Sequence, residues 1–135
     1  LEKIICRRRK TMYSVDIYTI IDREAYSYQI SFVDDKGKVH ERSYKREINA
    51  SKNQKELYAI IDAVKVLKSR CNIKIHTESS YIVSAINQWL EKWQQSRFIN
   101  AKGVEVKNKE LWQGYILLTL KHNVEVIKEN GSQSN

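Results

Sequence analysis

At 135 residues the chain is the size of one domain, and no apolar run approaches the ~20 residues of a membrane-spanning helix. Twenty-four Lys+Arg against 16 Asp+Glu leave a net charge of +8, which favours a polyanionic partner, nucleic acid ahead of an anionic membrane. Four glycines and no proline exclude long Gly/Pro linkers.

The densest basic cluster, "CRRRK" from Cys6 to Lys10, lies in an N-terminal extension over residues 1–13. It reads as an electrostatic arm or as a tail of a larger polypeptide, and the opening residue Leu1 fits the second reading. Cys6 and Cys71 show no paired spacing and read as reduced thiols of an intracellular, cytoplasmic protein. The domain proper is expected over 14–129. From Ser14 to Asp22, Val15, Ile17, Thr19 and Ile21 alternate with Asp16, Tyr18, Ile20 and Asp22, the period of a strand. Tyr26 to Val33 is a second strand, "DDKG" (Asp34 to Gly37) a turn, and Lys38 to Glu47 a third strand, giving an antiparallel meander. The period then changes. Leu57, Ile60, Ile61, Val64 and Leu67 mark a helix that Ser51 or Asn53 can cap. Asn72 to Thr77 is a nearly apolar strand, as expected of one covered on both faces. Ile82, Ile86, Trp89, Leu90 and Trp93 mark a second helix, Asn108 to Lys121 is a third, and Asn123 to Lys128 a last strand. Residues 130–135 form a polar tail. The order βββ-α-β-α-α-β predicts an α/β domain, a mixed sheet with helices on its faces.

Ligand sites in such a sheet form where strands end. Three carboxylates are candidates to meet there: Asp22, Glu56 and Glu78. Close unpaired carboxylates raise one another's pKa, and a divalent cation relieves the repulsion. Hard oxygen ligands suit Mg2+ or Mn2+, and two such ions about 3.5–4 Å apart support phosphodiester cleavage. Each acid also has a simpler reading: Glu56 and Glu78 as partners of helix N-termini, Asp22 as a turn residue. Trp89, Trp93 and Trp112 fall on apolar helical stripes and read mainly as core. His40, His76 and His122 show no ligand spacing and read as surface or strand residues.

The stretch from Ser51 to Gln113 resembles type 1 ribonuclease H. It carries Glu56-Leu57, Thr77-Glu78-Ser79 with Tyr81-Ile82, Gln88-Trp89 with Trp93, and Val106-Lys107-Asn108 with Leu111-Trp112. The resemblance implies a ribonuclease-H-like mixed five-stranded sheet, three antiparallel strands followed by parallel additions. It also implies cleavage of the RNA strand of an RNA/DNA hybrid by two Mg2+ ions held on four carboxylates. By position, Glu56 matches the family's helix glutamate, and Glu78 stands for its second aspartate with one extra methylene. Ser51 and Asn53 lie where the family touches phosphate and 2'-hydroxyls, Ser80 where it contacts bases, and Trp89 where it lines the DNA-strand channel. Residues 93–109 resemble a basic protrusion, of which Arg97, Lys102, Lys107 and Lys109 remain.

The departures concern the acids. Aligned directly, Ile20 replaces the first metal-binding aspartate; a two-residue slip places Asp22 there, and alternation does not choose, because both face the same side. The family's fourth aspartate has no counterpart in these 135 residues, and Glu129 is the one acid near the end. A 1 Å misplacement of a catalytic group can cost ~100-fold in rate. The sequence therefore predicts a domain that binds hybrid or related duplex, with Mg2+-dependent cleavage weakened or lost. The alternatives are an active hybrid endoribonuclease using Asp22, Glu56 and Glu78, and a structural connection or tether domain of a reverse-transcriptase-like protein.

Overall fold

Beta-branched and aromatic residues at every second position build the first two strands, β1 (Tyr13–Ile21) and β2 (Ala25–Val33), and a largely charged third, β3 (Val39–Glu47), follows. A computed structural model describes residues 12–130. The cluster from Cys6 to Lys10 and residues 131–135 lie outside the described residues. The strands pair antiparallel, with Ile17 opposite Ile30 and Tyr28 opposite Tyr44. The turn between β2 and β3 is set by Asp34, whose carboxylate accepts from the backbone N–H groups of Lys36 (2.8 Å) and Lys38 (2.9 Å), and by Gly37 at φ +83°. β3 is an edge strand, and its run of charged side chains suits an edge that meets water.

Helix α1 (Lys52–Val66) starts at a reciprocal cap: the Gln54 N–H donates to Ser51 Oγ (3.1 Å), and the Ser51 N–H donates to Gln54 Oε1 (3.1 Å). Of the two expected caps, Ser51 is the one used. β4 (Cys71–Thr77) follows and pairs parallel with β1, Tyr18 beside His76. The second helical run has three parts: α2 (Ser80–Ser84), a π-helical turn (Ala85–Trp89) and α3 (Leu90–Gln95). Helix α4 (Lys109–Thr119) leads to β5 (Asn123–Lys128), parallel to β4. The strand order β3-β2-β1-β4-β5 is the mixed five-stranded sheet that the resemblance implies.

One sheet face carries Val15, Ile17, Ile30, Phe32, Ile73 and Ile75, which bury against Leu57, Ile60 and Val64 of α1. Each such aliphatic side chain contributes about 1.5–3 kcal/mol on burial. This packing locks α1 across the sheet and brings its first turns to the carboxyl ends of β1 and β4. The opposite face presents Asp16, Tyr18 and Ile20 from β1 and Lys74 and His76 from β4. Among the described residues no helix is long and apolar enough to cross a membrane.

Candidate active site and nucleic-acid interface

Glu56 lies past the first turn of α1 and is only 3 % exposed. Its Oε1 accepts two hydroxyl hydrogen bonds, from Thr19 at the end of β1 (3.0 Å) and from Thr77 at the end of β4 (3.1 Å). Burial raises the carboxyl pKa; the two threonine bonds and the Lys52 charge pull it down, the Glu78 charge pushes it up, and the net shift is upward. Thr77 also accepts from the Ser79 N–H (3.1 Å), and Ser79 caps α2 by accepting from the Ile82 N–H (3.1 Å). The cap therefore belongs to Ser79. Glu78 is left exposed between strand and helix, and its carboxylate lines the same small cavity as Glu56.

That cavity, about 180 Å³, is lined by Thr19, Ile20, Ile21, Lys52, Glu56 and Glu78. Asp22 is elsewhere. β1 ends at Ile21 and the chain reverses at once into β2, so Asp22 is a turn residue. Its Oδ1 accepts from the Glu24 N–H (3.0 Å), and its Oδ2 lies 3.7 Å from Lys45 Nζ of β3. The Glu24 bond, helped by Lys45, holds this carboxyl below the usual range. The turn is fastened from beneath by Lys55, a buried lysine whose ammonium donates to the carbonyls of Asp22 (2.6 Å) and Arg23 (2.8 Å). The expected meeting of Asp22 with Glu56 and Glu78 is thus not formed, and Ile20, beside Thr19 at the end of β1, is among the residues that line the cavity. Among the described residues no group of three or more His, Cys, Asp and Glu side chains is arranged to hold a metal ion. Two carboxylates, one hydrocarbon and one ammonium are not the donor set of a two-ion Mg2+ or Mn2+ centre.

The expected nucleic-acid residues lie at the starts of α1 and α2, on the π-helical turn, on the loop between α3 and α4, and at the start of α4. Ser51, Lys52 and Asn53 open α1, and Ser80 is exposed at the first position of α2. Asn108, at φ +63°, joins the helices: its Nδ2 donates to the Tyr81 hydroxyl (3.3 Å) and its Oδ1 accepts from Gln54 Nε2 (3.4 Å). Between α1 and the start of α4 runs a groove of about 520 Å³, lined by Gln54, Tyr58, Lys107, Asn108 and Lys109 among others. The loop from α3 to α4 is anchored by buried Phe98 and by an antiparallel bridge between Ile99 and Glu105. It holds out Arg97, Lys102 and Lys107, all exposed and without an ion-pair partner among the described residues. Lys109 is instead paired with Glu105 (3.2 Å). Trp112 is wholly buried, whereas Trp89 and Trp93 are partly buried against the core, with ring centroids 5.7 Å apart.

The sequence profile of the RNase H family matches residues 22–134. The chain belongs to the RNase H family. A ribonuclease H of Caldicellulosiruptor saccharolyticus is 43% identical over 86 residues, which are 63% of this chain and 59% of that protein. The match thus spans less than two thirds of this RNase H relative. Among solved structures, LC9-RNase H1, described as a type 1 RNase H with the type 2 active-site motif, superposes with a TM-score of 0.75 at 22% identity, over 90% of this chain and 64% of that one. LC11-RNase H1 in complex with RNA/DNA hybrid gives a TM-score of 0.52 at 18% identity, over 85% and 86%. At these identities the solved structures show the RNase H fold.

A second polar cluster, around His76 of β4, was not legible in the sequence. His76 Nε2 lies 2.8 Å from Asp16 Oδ1 and His76 Nδ1 lies 2.7 Å from Glu129 Oε2, with the ring stacked on Tyr18 at 4.2 Å. Glu129 is also fixed through its backbone N–H, which donates to the Thr77 carbonyl (2.8 Å). A neutral imidazole can donate at one nitrogen only, so bonds to two carboxylates call for the imidazolium. Burial lowers the His76 pKa, but the hydrogen bonds and charges of Asp16 and Glu129 outweigh it and hold the pKa above the ordinary value. A folded-state pKa above the unfolded one means stability that is complete below about pH 6.5 and is lost as pH rises through the folded pKa. Denaturant unfolding at stepped pH is expected to show this loss as pH rises above about 6.5, and His76→Gln is expected to flatten it. An unchanged profile in the variant would remove His76 as its source.

Proposed function

We propose that this RNase H-family chain grips RNA/DNA hybrid, or a related nucleic-acid duplex, inside the cell, and that Mg2+-dependent cleavage of the RNA strand is weakened or lost. The observation that carries the reading is the cavity at the strand ends. Glu56 and Glu78 remain, Ile20 fills the third position, and Asp22 is engaged with Lys45 instead. The surface around it supports binding. The α1 N-terminus offers Ser51 and Asn53 to a phosphate and to 2'-hydroxyls, a place where backbone N–H groups and the helix dipole favour anions. Ser80 meets the bases, Trp89 lines the DNA strand, and Arg97, Lys102, Lys107 and Lys109 lie along phosphates. A net charge of +8 adds long-range attraction.

The test is equilibrium binding of a fluorescent hybrid in EDTA and in Mg2+. A surface that binds without resident ions gives the same affinity in both within about threefold, and binds hybrid in preference to a neutral polymer of equal length. Failure to bind hybrid in either buffer contradicts the proposal.

A further inference from the structure

Six side chains enclose the cavity at the strand ends, and one of them is a cation that belongs to the chain itself. Lys52 is the first residue of α1 and stands four positions before Glu56, a spacing that sets both on one helix face. It lines the cavity together with Glu56 and Glu78. Two carboxylates in about 180 Å³ repel each other, and something must offset that charge. Glu56 Oε1 is already engaged by Thr19 and Thr77, and its other oxygen takes no hydrogen bond among the described residues. Ile20, 64 % exposed, also lines the cavity, and its hydrocarbon side chain offers no lone pair.

We propose that the Lys52 ammonium is the built-in counter-cation of the Glu56–Glu78 cavity and excludes a divalent ion from it. The proposal rests on the reading of a depleted cleavage site and says what has taken the ions' place. An ammonium is a compact charge on a flexible stem, so it offsets carboxylate charge without fixed coordination geometry. Lys52 makes no ion pair among the described residues, and its charge acts across the cavity, drawing the Glu56 pKa down. A divalent ion entering the cavity has to push this charge aside and then finds a methyl group where it needs an oxygen. Lys52 and Ile20 therefore work against metal in different ways, one by charge and one by absent ligation, and their removal is expected to combine.

Mn2+ binding to the full chain is measured by calorimetry and by paramagnetic broadening of Ile methyl signals, with thermal unfolding to confirm that each variant folds. Lys52→Asn is expected to tighten Mn2+ binding at least about threefold. Lys52→Arg, which keeps the charge, is expected to stay within twofold of the parent. Adding Lys52→Asn to Ile20→Asp is expected to tighten binding at least about tenfold over Ile20→Asp alone. Mn2+ affinity unmoved by Lys52→Asn in both backgrounds overturns the proposal. Its failure is separable from that of the functional reading: rapid hybrid cleavage by the unmodified chain sinks the reading, whereas an indifferent Lys52 sinks only this inference.

Discussion

Trp112→Ala is expected to lower the unfolding free energy by about 3–5 kcal/mol, the cost of deleting a large aromatic from a packed core. At this chain length that corresponds to a fall in Tm of roughly 10–20 °C. The indole is 0 % exposed and packs edge-on against Tyr115, with ring centroids 5.5 Å apart, and against Tyr81 and Trp93 at 6.0 Å. Its Nε1–H donates to the Tyr81 hydroxyl (2.8 Å), the same oxygen that Asn108 bonds. Trp112 is thus the post on which α2 and α4 meet. Trp112→Phe keeps most of the ring and loses that donor, so its cost is expected on the order of 1–2 kcal/mol. Trp89→Ala separates packing from function. The Trp89 ring is only partly buried, so the substitution is expected to cost less stability than Trp112→Ala while reducing hybrid affinity. Chemical denaturation of the three variants checks the order, and a Trp112→Ala protein within about 1 kcal/mol of the parent, well under the usual cost of such a truncation, would contradict the packing account.

The second large effect is electrostatic. Removing one lysine–phosphate interaction changes the slope of log K against log salt by about 0.9, which at 0.1 M salt is on the order of tenfold in affinity. Lys102 and Lys107 are exposed on the loop before α4 and have no acidic partner among the described residues, so their charges are available to phosphates. Replacing both with alanine is expected to weaken hybrid binding on the order of 10²-fold and to lower the salt slope by about 2. Lys109→Ala is expected to do less, because Glu105 already neutralises that ammonium at 3.2 Å. Fluorescence titrations at four salt concentrations read both quantities. Equal slopes for the parent and the double variant would place the duplex on another surface.

Strand period and helix period in the sequence give the elements here, with β5 over the same residues as expected and β1 displaced by one. That single residue carries the outcome for the acids. Alternation puts Ile20 and Asp22 on the same side and stops there. What separates them is where the strand ends, and this depends on a three-dimensional contact, the Lys55 ammonium under the carbonyls of Asp22 and Arg23. The His76 cluster was hidden for a similar reason. It exists only in the parallel register that sets Tyr18 beside His76, and two separate strands do not reveal their mutual register. Glu129, with no evident anchor in the sequence, is held by the same ring. The π turn does leave a trace in the sequence. Ile82, Ile86 and Leu90 recur every four residues, wider than the 3.6 of an α-helix, and the Leu90 N–H reaches back five residues to the Ala85 carbonyl. The local pattern narrowed the cap of α1 to Ser51 or Asn53 and set Glu56 just past the helix start; the structure uses Ser51.

The most direct measurement follows a labelled RNA strand in an RNA/DNA hybrid, with excess protein and Mn2+, for the parent chain and for Glu56→Gln. Glutamine keeps an oxygen for Thr19 and Thr77 and removes the charge that any ion in this cavity needs. The proposed reading predicts RNA that stays intact, or is cut only slowly, with the parent and intact with Glu56→Gln, while both bind the hybrid. Rapid, multiple-turnover cleavage by the parent that disappears in Glu56→Gln would show a working two-ion centre and contradict the account.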